Sequence, residues 1–140
     1  MRYMIIVKND PKSEQEMPAP EAFEAMGEYN RSLVEAGVLL AAEGLAGSDK
    51  GFTVTFGDGK ATVKDGPFTE ATELVGGFWI IQVKSKDEAI EWAKRIPFAN
   101  GESVEVRKIA EASDFEGILG EEAVAREVAW RAEVEKQQGR

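Results

Sequence analysis

The apolar residues of this chain follow two rhythms, one suited to strands and one to helices. Tyr3 to Val7 is a continuous apolar run bounded by Arg2 and the turn cluster Lys8-Asn9-Asp10-Pro11, which predicts a buried strand. A polar connector broken by Pro11, Pro18 and Pro20 follows. From Glu21 the spacing changes: Phe23, Met26, Tyr29, Leu33 and Val34 recur at helical intervals, and Gly37 stands where a C-terminal cap belongs. Val38 to Leu45 reads as a strand. After a glycine-bounded loop, Phe52, Val54 and Phe56 alternate with Thr53 and Thr55. Gly57-Asp58-Gly59 turns the chain, and Ala61 and Val63 resume the alternation, which predicts a β-hairpin.

Leu74 to Val83 is the next predicted strand. Ser85 and Glu88 form an S-x-x-E capping box ahead of a helix whose apolar face is expected to carry Ala89, Ile90, Ala93 and Ile96, with Pro97 ending it. Val104 and Val106 alternate with Glu105 and Arg107 in a last strand. Glu121 to Gln138 has high helix propensity around Val124, Val128 and Trp130, with a weak amphipathic pattern. The order strand, helix, strand, hairpin, strand, helix, strand, helix holds two β-α-β units. It predicts a ferredoxin-like α+β fold: an antiparallel sheet with both main helices on one face, a β-hairpin insertion and a C-terminal helix. Phe78 and Ile80 point to one face of their strand while Trp79, Ile81 and Val83 point to the other, so both faces call for burial. Two helices cover one face, and a second subunit is expected to cover the other.

Composition narrows the chemistry. At 140 residues the chain is expected to be one domain, organised as 1–117 with a helical extension over 118–140. The net charge of −9 and the lack of a basic stripe argue against direct nucleic-acid binding. The N-terminal apolar run is too short for a signal or membrane segment, so a cytoplasmic location is expected. The sequence has no cysteine and no histidine, which removes thiolate nucleophiles, imidazole bases and Cys/His zinc sites together. No spacing supports an oxygen-only metal site, and no phosphate-binding loop is present, so neither metal nor cofactor is expected.

Several residues invite chemistry. Asp65 opens the corner Asp65-Gly66-Pro67-Phe68, where proline fixes the backbone and the aspartate can cap a turn or line a pocket. Gly76-Gly77 inside a strand signals a bulge or the close approach of a neighbour, and with Trp79 it could form one wall of a pocket between sheet and helices. Glu43 lies in the largely apolar LLAAEGL, at a rim or inside a pocket with a raised pKa. Glu70 and Glu73 flank Asp65 as a solvated acidic face.

VKDGPFTEATELVGGFWIIQVKSKDEAIEWAKRIP, with VEAGVLLAAEGL before it and VEVRKIAEASDFEG after it, resembles the DGPF branch of the YCII-related family over about residues 1–117. The resemblance implies a ferredoxin-like subunit that forms a dimeric α+β barrel. Some relatives resemble small lyases acting on aromatic compounds through a helix-borne histidine and an aspartate. The first helix here offers Met26 and Tyr29 instead, so that mechanism does not carry over. The resemblance also implies an association with sigma-factor-type transcription regulators.

Three functional readings follow. The first is a homodimeric small-molecule-binding protein, with a pocket between the first helix and the sheet lined by Tyr29, Phe68, Trp79, Glu43, Asp65 and Asp114. The second is a carboxylate-based lyase or isomerase in which Asp65 or Asp114 removes a proton and Tyr29 or Arg2 steadies the developing charge. The third is an interaction module that contacts a transcription regulator through the terminal helix.

Overall fold

The computed structural model describes residues 1–139. Six strands and three helices occur in the order β1 (Arg2–Asn9), α1 (Pro20–Glu35), β2 (Leu39–Gly44), β3 (Phe52–Gly57), β4 (Lys60–Asp65), β5 (Leu74–Gln82), α2 (Lys86–Lys94), β6 (Ser103–Lys108) and α3 (Glu121–Gln137). They form two compact units, one of Met1–Lys108 and one that begins at Ile109. In the first, an antiparallel four-stranded sheet has the order β2-β5-β1-β6, while β3 and β4 pair with each other. Leaving β3 and β4 aside, the four sheet strands run 2-3-1-4 in chain order, the ferredoxin-like arrangement of two interleaved β-α-β units.

The period-two pattern decides which face is buried. Tyr3 and Ile5 of β1 stand beside Ile81 and Trp79 of β5, and all four point into the core with Val83. Tyr29 and Leu33 of α1, Ala89 and Trp92 of α2, and Ile96 just beyond it belong to the same core, so both helices cover one face. Ile5, Leu33 and Ile81 are the largest side chains fully withdrawn from water. Each stabilises the fold by about 1.5–3 kcal/mol through burial. The opposite face carries Met4, Ile6, Phe78 and Ile80, all only partly buried.

Both helices bury a narrower stripe than their spacing suggests. Phe23 and Val34 of α1 are exposed, at 58% and 61%, because only the turn holding Tyr29 and Leu33 packs squarely on the sheet. In α2 the buried stripe is Ala89, Trp92 and Ile96, spaced i, i+3 and i+7. Ile90 lies off it, and Trp92 rather than Ala93 is the large residue facing the core. The capping box is present in a shifted form. Ser85 Oγ accepts from Glu88 N at 3.1 Å, while the Glu88 carboxylate accepts from Lys84 N at 2.9 Å, one residue before the cap.

The double glycine serves two purposes. Val7 pairs with Gly77 and Lys8 with Val75, so Gly76 is the extra residue of a β-bulge, and its carbonyl accepts from Leu45 N at 3.0 Å. Gly77 lies where β2 comes close: a Cβ there would stand 2.7 Å from the Glu43 carbonyl oxygen.

In the second unit, a short 3-10 turn at Ala112–Phe115 precedes α3, which leaves Val128, Trp130 and Val134 exposed. Its helical surface is held by local contacts: Arg131 bridges to Glu127 at 2.8 Å and lies over the Trp130 ring. Among the described residues, no helix is long and apolar enough to cross a membrane.

Candidate functional site

A cavity of about 400 Å³ opens between α1 and the sheet. Helix spacing brings Met26 and Asn30, four residues apart, to one wall. Val7 and Trp79, inward-facing on adjacent strands, form the floor, and the Gly76-Gly77 bulge forms one side. The end of β1 contributes its last residue, Asn9, and the residues before α1 contribute Pro18. The walls are therefore largely apolar, with two carboxamides set among them.

Trp79 is the best-fixed group. Its indole N–H donates to Asn30 Oδ1 at 2.8 Å, and Tyr29 meets its ring edge-on with centroids 5.6 Å apart. That bond uses the Asn30 carbonyl oxygen and leaves its Nδ2 as a donor for a ligand. Tyr29 lies beneath the cavity rather than in its lining. Its hydroxyl donates at 2.8 Å to the Trp92 carbonyl in the last turn of α2, which also accepts from Arg95 N at 3.2 Å.

Burial pushes the Tyr29 phenol up to about 12, against the smaller opposing pull of Arg95. A raised phenol pKa means that the unfolded state loses its proton first. Stability should be unaffected below about pH 10 and fall as pH rises through 12, by about 2.7 kcal/mol at most. Urea unfolding at pH 9 to 12 should show this decline in the native chain and a flatter one in Tyr29→Phe.

The remaining sequence-derived candidates divide. Glu43 lines the cavity and is exposed, and strand register directs its side chain to the sheet face opposite the helices, with Phe78. Phe68 belongs elsewhere: it lines a separate cleft of about 260 Å³ with Thr53, Lys64 and Glu70. Asp65 ends β4 opposite Phe52, exposed and outside the cavity lining. Arg2 pairs with Gln82 at the start of β1, also outside the cavity. Asp114 belongs to the second unit, where its carboxylate accepts from Glu111 N at 2.7 Å and closes a capping box. Glu73 bridges to Lys8 at 3.5 Å, and Lys8 also reaches Glu105 at 3.3 Å on the open sheet face. The hydrogen bond that Lys8 donates to Glu105 raises the Lys8 pKa, and those that Arg107 and then Lys8 donate hold Glu105 below the usual carboxylate range. Among the described residues, no three acidic groups converge as a metal ion would need.

The Asp-Gly-Pro-Phe corner is built into a loop clasp. Gly66 and Pro67 are joined by a cis peptide, and Gly66 N donates to Gly51 O at 2.9 Å. Phe68 N donates to Ser48 Oγ at 3.0 Å. Ser48 in turn donates from Oγ and N to the two oxygens of Glu14, at 2.5 and 3.0 Å. Glu14 lies on the connector between β1 and α1, which begins after Asn9 and carries Pro18, both in the cavity lining, so the corner is tied to one side of the site.

Asn9 and Asn30 were not singled out from the sequence. Asn30 follows Tyr29 in a stretch whose only visible signal was helical apolar spacing, which marks the core side and is silent on a polar residue at the stripe's edge.

The topology and this cavity define a ferredoxin-like α+β protein with a small pocket beside its first helix. More specifically, the chain belongs to the YCII-related domain family, whose model matches residues 1–113. An uncharacterised protein of Rhizobium meliloti (strain 1021) is 32% identical over 115 residues, covering 79% of this chain and 93% of that protein. Among solved structures, 5-chloro-2-hydroxyhydroquinone dehydrochlorinase from Burkholderia phenoliruptrix AC1100, in complex with 2,5-dihydroxybenzoquinone, aligns with a TM-score of 0.42 and 19% identity. That alignment covers 79% of this chain and 95% of the dehydrochlorinase.

Proposed function

We propose that this protein is a homodimeric small-molecule-binding protein whose site is the cavity between α1 and the sheet. The observation that carries the reading is the character of the walls. Apolar side chains surround two carboxamides, and the one ionisable residue in the lining, Glu43, has its side chain directed to the other face of the sheet. Such a site selects a neutral, compact, largely apolar molecule that offers an acceptor oxygen to Asn30 Nδ2. A charged ligand would be desolvated there without a partner. The homodimer is supported by the open sheet face, where Met4, Ile6, Phe78 and Ile80 lack a covering layer within the first unit.

A thermal-shift series with uncharged aromatic ketones, quinones and phenols, set against carboxylated and cationic counterparts of equal size, tests the ligand class. A neutral compound at 100 times its Kd should stabilise the protein by about 2.7 kcal/mol. Stabilisation confined to the charged series, or unchanged in an Asn30→Ala variant, would sink the reading.

A further inference from the structure

The hairpin formed by β3 and β4 poses a packing problem that its own unit does not solve. Cross-strand register puts Phe52, Val54, Phe56, Ala61 and Val63 on one face, with Asp65 at its base opposite Phe52, and Thr53, Thr55, Lys60, Thr62 and Lys64 on the other. The apolar face is uncovered: Phe52 is 63%, Phe56 81% and Val63 61% exposed. Among the strands and helices, β3 and β4 have substantial contact only with each other; the loop that follows meets them at the base and along the polar face, at Gly51, Thr53 and Lys64. A two-stranded ribbon alone is marginal in water, and one with three exposed aromatic or branched side chains in a row calls for a partner.

We propose that this face docks on a second copy of the chain, as an arm that enlarges the dimer contact. The proposal rests on the homodimer reading above. Size favours it. Strands of six to nine residues spaced about 4.8 Å apart give the open face of the four-stranded sheet a footprint of about 450 Å². Stable dimers bury about 800 Å² per partner, so the sheet face alone falls short. Two six-residue strands add about 200 Å² per copy, and two-fold symmetry applies that gain to both subunits. Charge excludes competing occupants: at −9 the protein is repelled by anionic lipid surfaces and by nucleic acid. The hairpin is locally balanced, with Lys60 and Lys64 against Asp58 and Asp65, so like copies do not repel there.

The test uses the full chain. In sedimentation equilibrium, Phe56→Thr and Val63→Thr, which keep strand propensity, should each weaken the dimer about 100-fold because every dimer carries the change twice. Ile80→Asp on the open sheet face serves as the separate probe of the homodimer reading. Because the chain has no cysteine, Ala61→Cys can be labelled uniquely with a photoreactive benzophenone. Mixing light and isotopically heavy copies should then yield light–heavy cross-links. A wild-type protein that stays monomeric overturns both readings. Dissociation by Ile80→Asp, with the hairpin variants within twofold of wild type, overturns the arm alone. Cross-links confined to one chain also overturn it, because they place the hairpin against its own subunit.

Discussion

Replacing Gly66 by alanine is expected to unseat the Asp-Gly-Pro-Phe corner. A Cβ at residue 66 would fall 1.8 Å from the Ser48 carbonyl oxygen and 2.8 Å from its carbonyl carbon. Both are backbone atoms, so no side-chain rotation relieves the clash, and the two loops must separate. Separation breaks the Gly66–Gly51 and Phe68–Ser48 hydrogen bonds and disturbs the Ser48–Glu14 pair. At about 1 kcal/mol for each of the two neutral bonds broken, and about 2 for one of the two bonds to the Glu14 carboxylate, the loss comes to about 4 kcal/mol. Hydrogen exchange should localise it: amides 48, 51, 66 and 68 should lose protection while the β1–β5 ladder keeps its own. Glu14→Gln, which keeps shape and removes charge, should show a smaller loss at Ser48 alone. If Gly66→Ala leaves exchange at these amides unchanged, the clasp is not what holds the corner.

The corner also shows what a sequence can and cannot convey. Its stiffness was legible in the residue types, because proline and glycine state their backbone demands directly. What the corner leans on was not, since Ser48 and Glu14 are ordinary residues whose meeting depends on two loops 34 positions apart. The same division runs through the fold. The alternation along β5 grouped Trp79, Ile81 and Val83 on one face, which the structure turns toward the helices, and the order of elements pointed to the ferredoxin-like topology. The helix stripes were read too broadly, because 3.6-residue spacing gives a direction, and the width of contact is set by the opposing surface. In the site, Trp79 and the double glycine were legible because a bulky aromatic and a paired glycine are costly inside a strand without a reason. The acids drew attention because they are the ionisable groups left in a chain without histidine. Most of them serve local structure instead, Asp114 as a cap and Glu73 as an ion-pair partner.

Trp79→Ala is expected to be the most damaging substitution in the molecule, costing about 3–5 kcal/mol in urea unfolding. Three losses combine. The indole is 5% exposed, so its removal leaves a void that joins the existing cavity. The edge contact with Tyr29 disappears, at about 0.5–1.5 kcal/mol. Asn30 Oδ1 loses its donor, and an unsatisfied acceptor costs about 1–3 kcal/mol unless water reaches it. Trp79→Phe separates these effects, because it keeps most of the apolar volume and removes the N–H, and it should cost about 1–2 kcal/mol. Combined with Asn30→Ala in a double-mutant cycle, the tryptophan and asparagine effects should fall short of additivity by about the worth of their shared bond. Asn30→Asp then isolates function from stability. The new carboxylate still accepts from Trp79, so the unfolding midpoint should change by less than that of Asn30→Ala, while the Nδ2 donor is gone and a charge stands in the cavity. Affinity for a neutral ligand should therefore fall at least tenfold, or about 1.4 kcal/mol. An Asn30→Asp protein that binds as the native chain does would move the ligand site away from this wall.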